Sequence, residues 1–99
     1  MHAQEQRDTE QTQVIFRKWP NGDVIALFPA IVGNSWDTCL SYEHIGQHGS
    51  ASVCIPNLRP AIEQEYRELK QELESIGYRL QVVRRFTSKH EQARRKQSL

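Results

Sequence analysis

Two β-rich runs, Val14–Lys18 and Asp23–Phe28, are separated only by Trp19-Pro20-Asn21-Gly22. Asn-Gly between such runs is a strong short-range hairpin signal, because it supplies the two positive-φ positions of a type I′ turn. The start of the chain is thereby committed to antiparallel sheet. Pro29 cannot donate to a ladder and is expected to end the second strand. Residues 30–37 (AIVGNSWD) then read as a connecting loop, apolar enough either to tuck under the sheet edge or to form an interface.

Residues 38–55 read as a second hairpin. Closure through Gly46-Gln47 sets Thr38 opposite Ile55, Leu40 opposite Val53 and Tyr42 opposite Ala51 on an apolar face. Cys39–Cys54, Ser41–Ser52 and Glu43–Ser50 then share a small, polar face. Residues 60–76 predict a helix: Ile62, Tyr66, Leu69, Leu73 and Ile76 form one apolar stripe. Pro60 suits the first turn, Glu63 and Glu65 the positive end of the dipole, and Gly77 the C′ stop. Tyr78–Val83 alternates into a last strand, running back antiparallel beneath the helix. The expected fold is α+β in ββββαβ order: a small antiparallel sheet, two hairpins plus a C-terminal strand, with one helix on one face.

With 99 residues, 37% hydrophobic and 25% charged, the chain suits one small globular domain. That excludes a multidomain enzyme. Residues 1–12 hold no large apolar side chain except Met1 and read as a disordered tail. Residues 13–86 form the domain, and residues 87–99 (TSKHEQARRKQSL) a flexible basic tail in which Ser88 could cap a short frayed helix. A core of that size is marginal alone, which favours a partner or a homodimer. No run approaches the ~18 apolar residues of a membrane span, and the N-terminus carries no secretory pattern. Two cysteines are too few for a disulfide framework and fit a reducing cytoplasm.

A formal charge of +1 hides a polarised chain. Residues 1–78 carry eleven acidic and six basic side chains, whereas residues 79–99 carry seven basic and one acidic. Arg84, Arg85, Lys89, Arg94, Arg95 and Lys96 are therefore candidates for gripping nucleic-acid phosphates. No helix-turn-helix or RNA-binding signature accompanies them. The same tail could instead lie along the acidic helix surface of Glu63, Glu65, Glu68, Glu72 and Glu74.

The densest reactive cluster is Cys39, Tyr42, Glu43, His44, His48 and Cys54. Cys39, His44, His48 and Cys54 form a permissible zinc ligand set, although neither cysteine has a close C-x2–4-C companion. Otherwise the cysteines pack as small hydrophobes and no cofactor is expected. A cysteine nucleophile with a histidine base is conceivable. No nucleophile elbow, zinc-protease helix or separated carboxylate pair is present, so the chain reads as a non-enzyme. The segment His44-Ile45-Gly46-Gln47-His48-Gly49 reads better as a displayed hairpin tip. With it, Trp19, Trp36, Glu43, His44, Gln47 and His48 are the candidates for binding a protein partner, since tryptophan is enriched at binding hot spots.

Three strings carry a resemblance: VIFRKWPNGDVIALFP at 14–29, CLSYEHIGQHGSAS at 39–52, and RPAIEQEYRELKQELESIGYRLQVVRR at 59–85. Together they resemble a family of short uncharacterised proteins of bacteriophages and bacterial mobile elements. The resemblance implies an accessory protein of bacterial or phage cytoplasm and implies no activity. Two positions depart from the pattern. Ala30 follows Pro29 where Glu is expected, and Ile62 stands where Thr would cap the helix. Both tails lie outside the resemblance.

Overall fold

The computed structural model describes residues 11–43 and 47–98, apart from the side chain of Gln47. Expectations for residues 1–10 and for His44 lie outside the described residues. Among the described residues six strands appear in order: β1 (Thr12–Lys18), β2 (Val24–Val32), β3 (Thr38–Glu43), β4 (Gln47–Ser52), β5 (Arg59–Pro60) and β6 (Leu80–Val82). The helices among the described residues are α1 (Glu63–Ser75) and α2 (Ser88–Gln97). The sheet runs β4-β3-β2-β1-β5, and β6 also joins β1. Apart from the short parallel β1–β6 pair, all pairings are antiparallel. The α+β class and the small antiparallel sheet thus follow the sequence pattern.

The first hairpin forms, but its turn sits one residue earlier than expected. Trp19 accepts from Gly22 N–H at 2.8 Å, so Pro20 and Asn21 are the central residues. Gly22 has φ +98°, and Asn21 is not among the positive-φ residues. This is a type I turn followed by a left-handed glycine, not a type I′ turn. Proline's fixed φ near −65° suits the first central position of type I, and that preference sets the turn.

Pro29 does not end β2. The strand continues to Val32 through a bulge, where pairing with β3 jumps from Phe28–Leu40 to Val32–Cys39. A bulge is where a residue lacking N–H costs no ladder bond. Residues 30–32 are therefore strand rather than loop.

The second hairpin departs in register. Thr38 pairs with Ser52, Cys39 with Ala51, Leu40 with Ser50, Ser41 with Gly49, Tyr42 with His48 and Glu43 with Gln47. Gln47 lies in β4 opposite Glu43, so the expected Gly46-Gln47 closure is overturned. The offset from the expected pairing is odd, so every β4 side chain moves to the other face. Cys39 now shares its side with Ala51 instead of Cys54.

Both faces of the sheet are buried. On one, Leu69 and Leu73 of α1 cover Val14, Phe16, Ala26, Phe28 and Tyr42. The other collects Ile15, Ile25, Leu27, Cys39 and Ala51 under Trp19, Val53, Ile55, Leu58, Val83 and Phe86. Phe28, Ile15, Leu27 and Leu73 are fully buried, each contributing on the order of 1.5–3 kcal/mol. The face expected to be small and polar is a second core.

α1 begins later than its apolar stripe suggests. Arg59-Pro60 pairs with β1, and Ile62 is the N-cap, with no side-chain cap bond. Glu65 supplies half a capping box by accepting from Ile62 N–H at 2.9 Å. Ile62 and Ile76, the ends of the stripe, stay exposed. Gly77 (φ +115°) donates to the Glu74 carbonyl and Tyr78 N–H to that of Leu73, a Schellman stop that turns the chain back into β6.

The C-terminal segment is not a loose tail. Thr87 caps α2 by accepting from His90 N–H at 3.3 Å, and the helix packs against β2 instead of the acidic surface of α1. Arg94 is buried, donating through Nη1 to the Pro29 carbonyl at 2.5 Å and through Nε to the Trp36 carbonyl at 2.8 Å. Gln97 donates to the Ala30 carbonyl at 2.7 Å and accepts from Val32 N–H at 2.8 Å. The backbone groups that the β2 bulge turns away from β3 are thus bonded by α2 side chains. Composition alone conceals this, since α2 binds the sheet by hydrogen bonds rather than by an apolar stripe.

Candidate protein-interaction surface

The end of the sheet where β3 meets β4 gathers several of the expected binding residues. Trp19 follows β1 and is half-buried; its indole N–H donates to the exposed Glu43 carboxylate at 3.1 Å. An open depression of about 460 Å³ contains Trp19, Glu43 and His48, together with Ser41, Ala51 and Ile55. On the opposite face of β4, a second depression of about 380 Å³ shares His48, Gly49 and Ser50 and adds Val32, Asn34 and Leu40. β4 is therefore an end strand with a hollow on each side. Gln47 lies opposite Glu43 in the ladder. His44, the remaining candidate of this group, lies outside the described residues.

His48 is exposed but held in place. Its ring meets Tyr42 edge-on at 4.7 Å, and Nε2 lies 2.9 Å from the Tyr78 hydroxyl. Tyr78 stacks on Phe28 at 5.1 Å, and burial pushes its phenol above the ordinary value, so it remains protonated at neutral pH. The Tyr42 hydroxyl donates to the Glu72 carboxylate at 2.5 Å. The sequence pattern puts Glu72 on the acidic helix surface and Tyr78 in the last strand, and misses their contacts with Tyr42 and His48. The available signal was positional: a tyrosine straight after a helix-stopping glycine returns to the core it has just left.

Trp36 does not belong to this surface. It lies in the β2–β3 connection, at the opposite end of the sheet from Trp19 and Glu43. It is 39% exposed, with the Arg95 guanidinium 3.6 Å above its ring. The two tryptophans therefore cannot anchor one compact partner epitope.

The described members of the zinc quartet are dispersed. Cys39 is fully buried on one face, and His48 projects from the other beside Tyr42. Cys54 is exposed beyond the end of β4. Alternation along the ladder separates these groups, so Cys39 and His48 cannot share an ion. Among the described residues no group of three His, Cys, Asp or Glu could hold a metal. Burial pushes the Cys39 thiol up to about 11, against which nearby Arg94 only partly acts, so it is a poor nucleophile.

Of the basic candidates, Arg94 is sequestered at 2% exposure and cannot meet a phosphate. Arg95 pairs with Glu91 at 2.9 Å. Arg84, Arg85, Lys89 and Lys96 are exposed. The first three border an open depression of about 530 Å³ at the base of α2, with Gln13, Thr87 and His90. No described helix is long and apolar enough to cross a membrane. Compared with family models, curated proteins and solved structures, the chain matches none.

Proposed function

We propose that this protein is a non-enzymatic, cytoplasmic interaction module that binds a protein partner at the β3–β4 end of its sheet, as an accessory protein of a phage or mobile element. One observation carries the reading: a single depression joins the Trp19 indole and the Glu43 carboxylate beside an open strand edge, and His48 borders it with its ring on the opposite side of β4. The tryptophan offers apolar area with its polar tip already bonded to Glu43, and the carboxylate offers a charge to a basic partner group. His48 is fixed by two tyrosines, so little ordering entropy is lost on binding. Affinity capture from bacterial lysate, followed by titration of the captured protein, tests the reading. Glu43→Lys and His48→Ala should each abolish a stoichiometric complex, while Trp36→Ala leaves it intact. An unchanged complex in the first two variants refutes it.

A second reading has its own support. Arg84, Arg85 and Lys89 surround a hollow at the start of α2, an arrangement suited to phosphates of a nucleic acid. Arg84→Glu with Arg85→Glu should abolish a gel shift at ~50 mM salt if this surface binds nucleic acid. Absence of any shift with the unaltered chain rejects it.

A further inference from the structure

We infer that β4 is a self-association edge, at which two copies of the chain join their sheets by antiparallel β4–β4 pairing centred on Ser50. The inference rests on reading the β4 side as a protein-binding surface, and it names the partner that the bare strand itself fits. Val53 N–H donates to the Asp37 carbonyl at 3.3 Å, which makes that row of the β3–β4 ladder a hydrogen-bonded one. Stepping by two along the register, Ala51–Cys39, Gly49–Ser41 and Gln47–Glu43 are the other bonded rows. The intervening His48, Ser50 and Ser52 therefore turn their N–H and C=O groups away from β3. β4 ends the sheet, so among the described residues no strand meets them.

This edge lacks the devices that ordinarily prevent strand addition. Gln47–Ser52 contains no lysine, no other charged side chain and no proline, and its pairing with β3 has no bulge. The opposite edge is blunted: β5 is only Arg59-Pro60, and β6 is three residues long. The centre of β4 is also held in shape, because Asn34 N–H donates to Ser50 Oγ at 2.9 Å.

The strand is complementary to itself. A twofold axis at Ser50 sets His48 opposite Ser52 of the second copy and Ser50 opposite its own counterpart. Those rows exchange six ladder hydrogen bonds. On the other face Gly49 meets Ala51 of the second copy. All opposed side chains except His48 are small, and no like charges meet. Moving the register by two residues in either direction sacrifices bonded rows, so the Ser50-centred pairing is the one selected.

Sedimentation equilibrium of the full chain between ~1 µM and ~1 mM tests the pairing, with amide hydrogen exchange followed in parallel. The expected result is a concentration-dependent species of twice the chain mass. In it the amides of His48, Ser50 and Ser52 slow at least tenfold and recover on dilution. Ser50→Pro removes the central donor without touching a bond to β3 and should shift the dimer midpoint at least tenfold upward. Ser52→Pro, farther from Asn34, repeats the test should Ser50→Pro disturb the fold. A monomer throughout overturns the inference, as does a dimer in which those three amides exchange like the monomer's. Neither result touches a heterologous complex that depends on Glu43, which is how failure here is told from failure of the proposed function.

Discussion

Arg94→Ala should destabilise the protein by about 3 kcal/mol. The guanidinium makes two charge-assisted bonds, to the Pro29 and Trp36 carbonyls, and hydrogen bonds to charged groups contribute about 1.5–3 kcal/mol each. Part of that gross loss is returned. Trp36 lies in an exposed turn where water can reach its carbonyl, and deleting the side chain removes the cost of keeping a charge from solvent. The Pro29 carbonyl lies on a fully buried residue and regains little. Packing over Phe86, whose ring centroid is 5.7 Å from the guanidinium carbon, is lost as well. Arg94→Lys keeps the charge but not the planar fork, so about half the loss should remain. Urea unfolding reads the effect: with a slope of about 1.5 kcal/mol per molar, the alanine midpoint should fall by about 2 M at unchanged slope. Losses below ~0.5 kcal/mol in both variants would refute the clamp and return residues 88–97 to the status of a flexible tail.

Three further outcomes follow from particular contacts. With a thiol-reactive disulfide reagent at pH 8, Cys54 should react at once and Cys39 only on unfolding; a thiol raised from 9.0 to about 11 holds ~100-fold less thiolate even before burial excludes the reagent, and two fast thiols would contradict its placement. His90 Nδ1 accepts from Thr87 N–H at 3.0 Å, so the neutral ring carries its proton on Nε2 and donates it to Gln13 at 2.6 Å. Burial first, and Arg94 second, hold its folded pKa below the ordinary value, so its contribution is intact above pH ~6.5 and lost as pH falls from there toward the folded pKa; His90→Gln should flatten this part of the pH–stability curve in urea titrations between pH 7.5 and 5, and an identical slope would rule the residue out. Gly33→Ala would set a Cβ 2.2 Å from Ser50 Oγ and 2.6 Å from Thr38 Oγ1, so a loss of about 1–3 kcal/mol in thermal or urea unfolding is expected, and a neutral substitution would contradict the close approach of this turn to β4.

What was legible in the sequence was what local chemistry determines. Asn-Gly with its flanking runs gave a hairpin, the Leu69–Leu73 spacing a helix, and Gly77 its end, because each depends on residues within one or two turns of chain. The β3–β4 register was not legible. Ser, Gly and Ala dominate residues 49–52, and small residues fill either face without penalty, so alternation could not choose between two pairings. Pro29 misled because proline's prohibition on ladder bonding holds only where a ladder is needed, and a bulge removes the need. The docking of α2 on the sheet, rather than the short helix itself, was hidden for a third reason. Its attachment lies in Arg94 and Gln97 bonding to backbone carbonyls far away in sequence, a role that leaves no apolar periodicity. The candidate site was read in part: Trp19 and Glu43 converge, His48 borders the same hollow but turns its ring to the opposite face, and Trp36 and Cys39, named from residue type alone, belong elsewhere.

The coverage of the sheet also bears on the proposed binding surface. α1 occupies one face, while α2, residues 53–58 and residues 83–86 occupy the other, so neither face is free to receive a partner. A sheet sandwiched in this way retains only its edges and strand ends. The β1 side carries β5 and β6, both too short to template much pairing. The β4 side keeps six residues without a guarding charge, a hollow on either side, and a tryptophan–glutamate pair at one end. The same covering that stabilises a small domain therefore leaves β4 as the longest unpaired edge among the described residues, where the proposed association would occur. Substitutions there should alter association far more than stability, and substitutions at Arg94 should do the reverse.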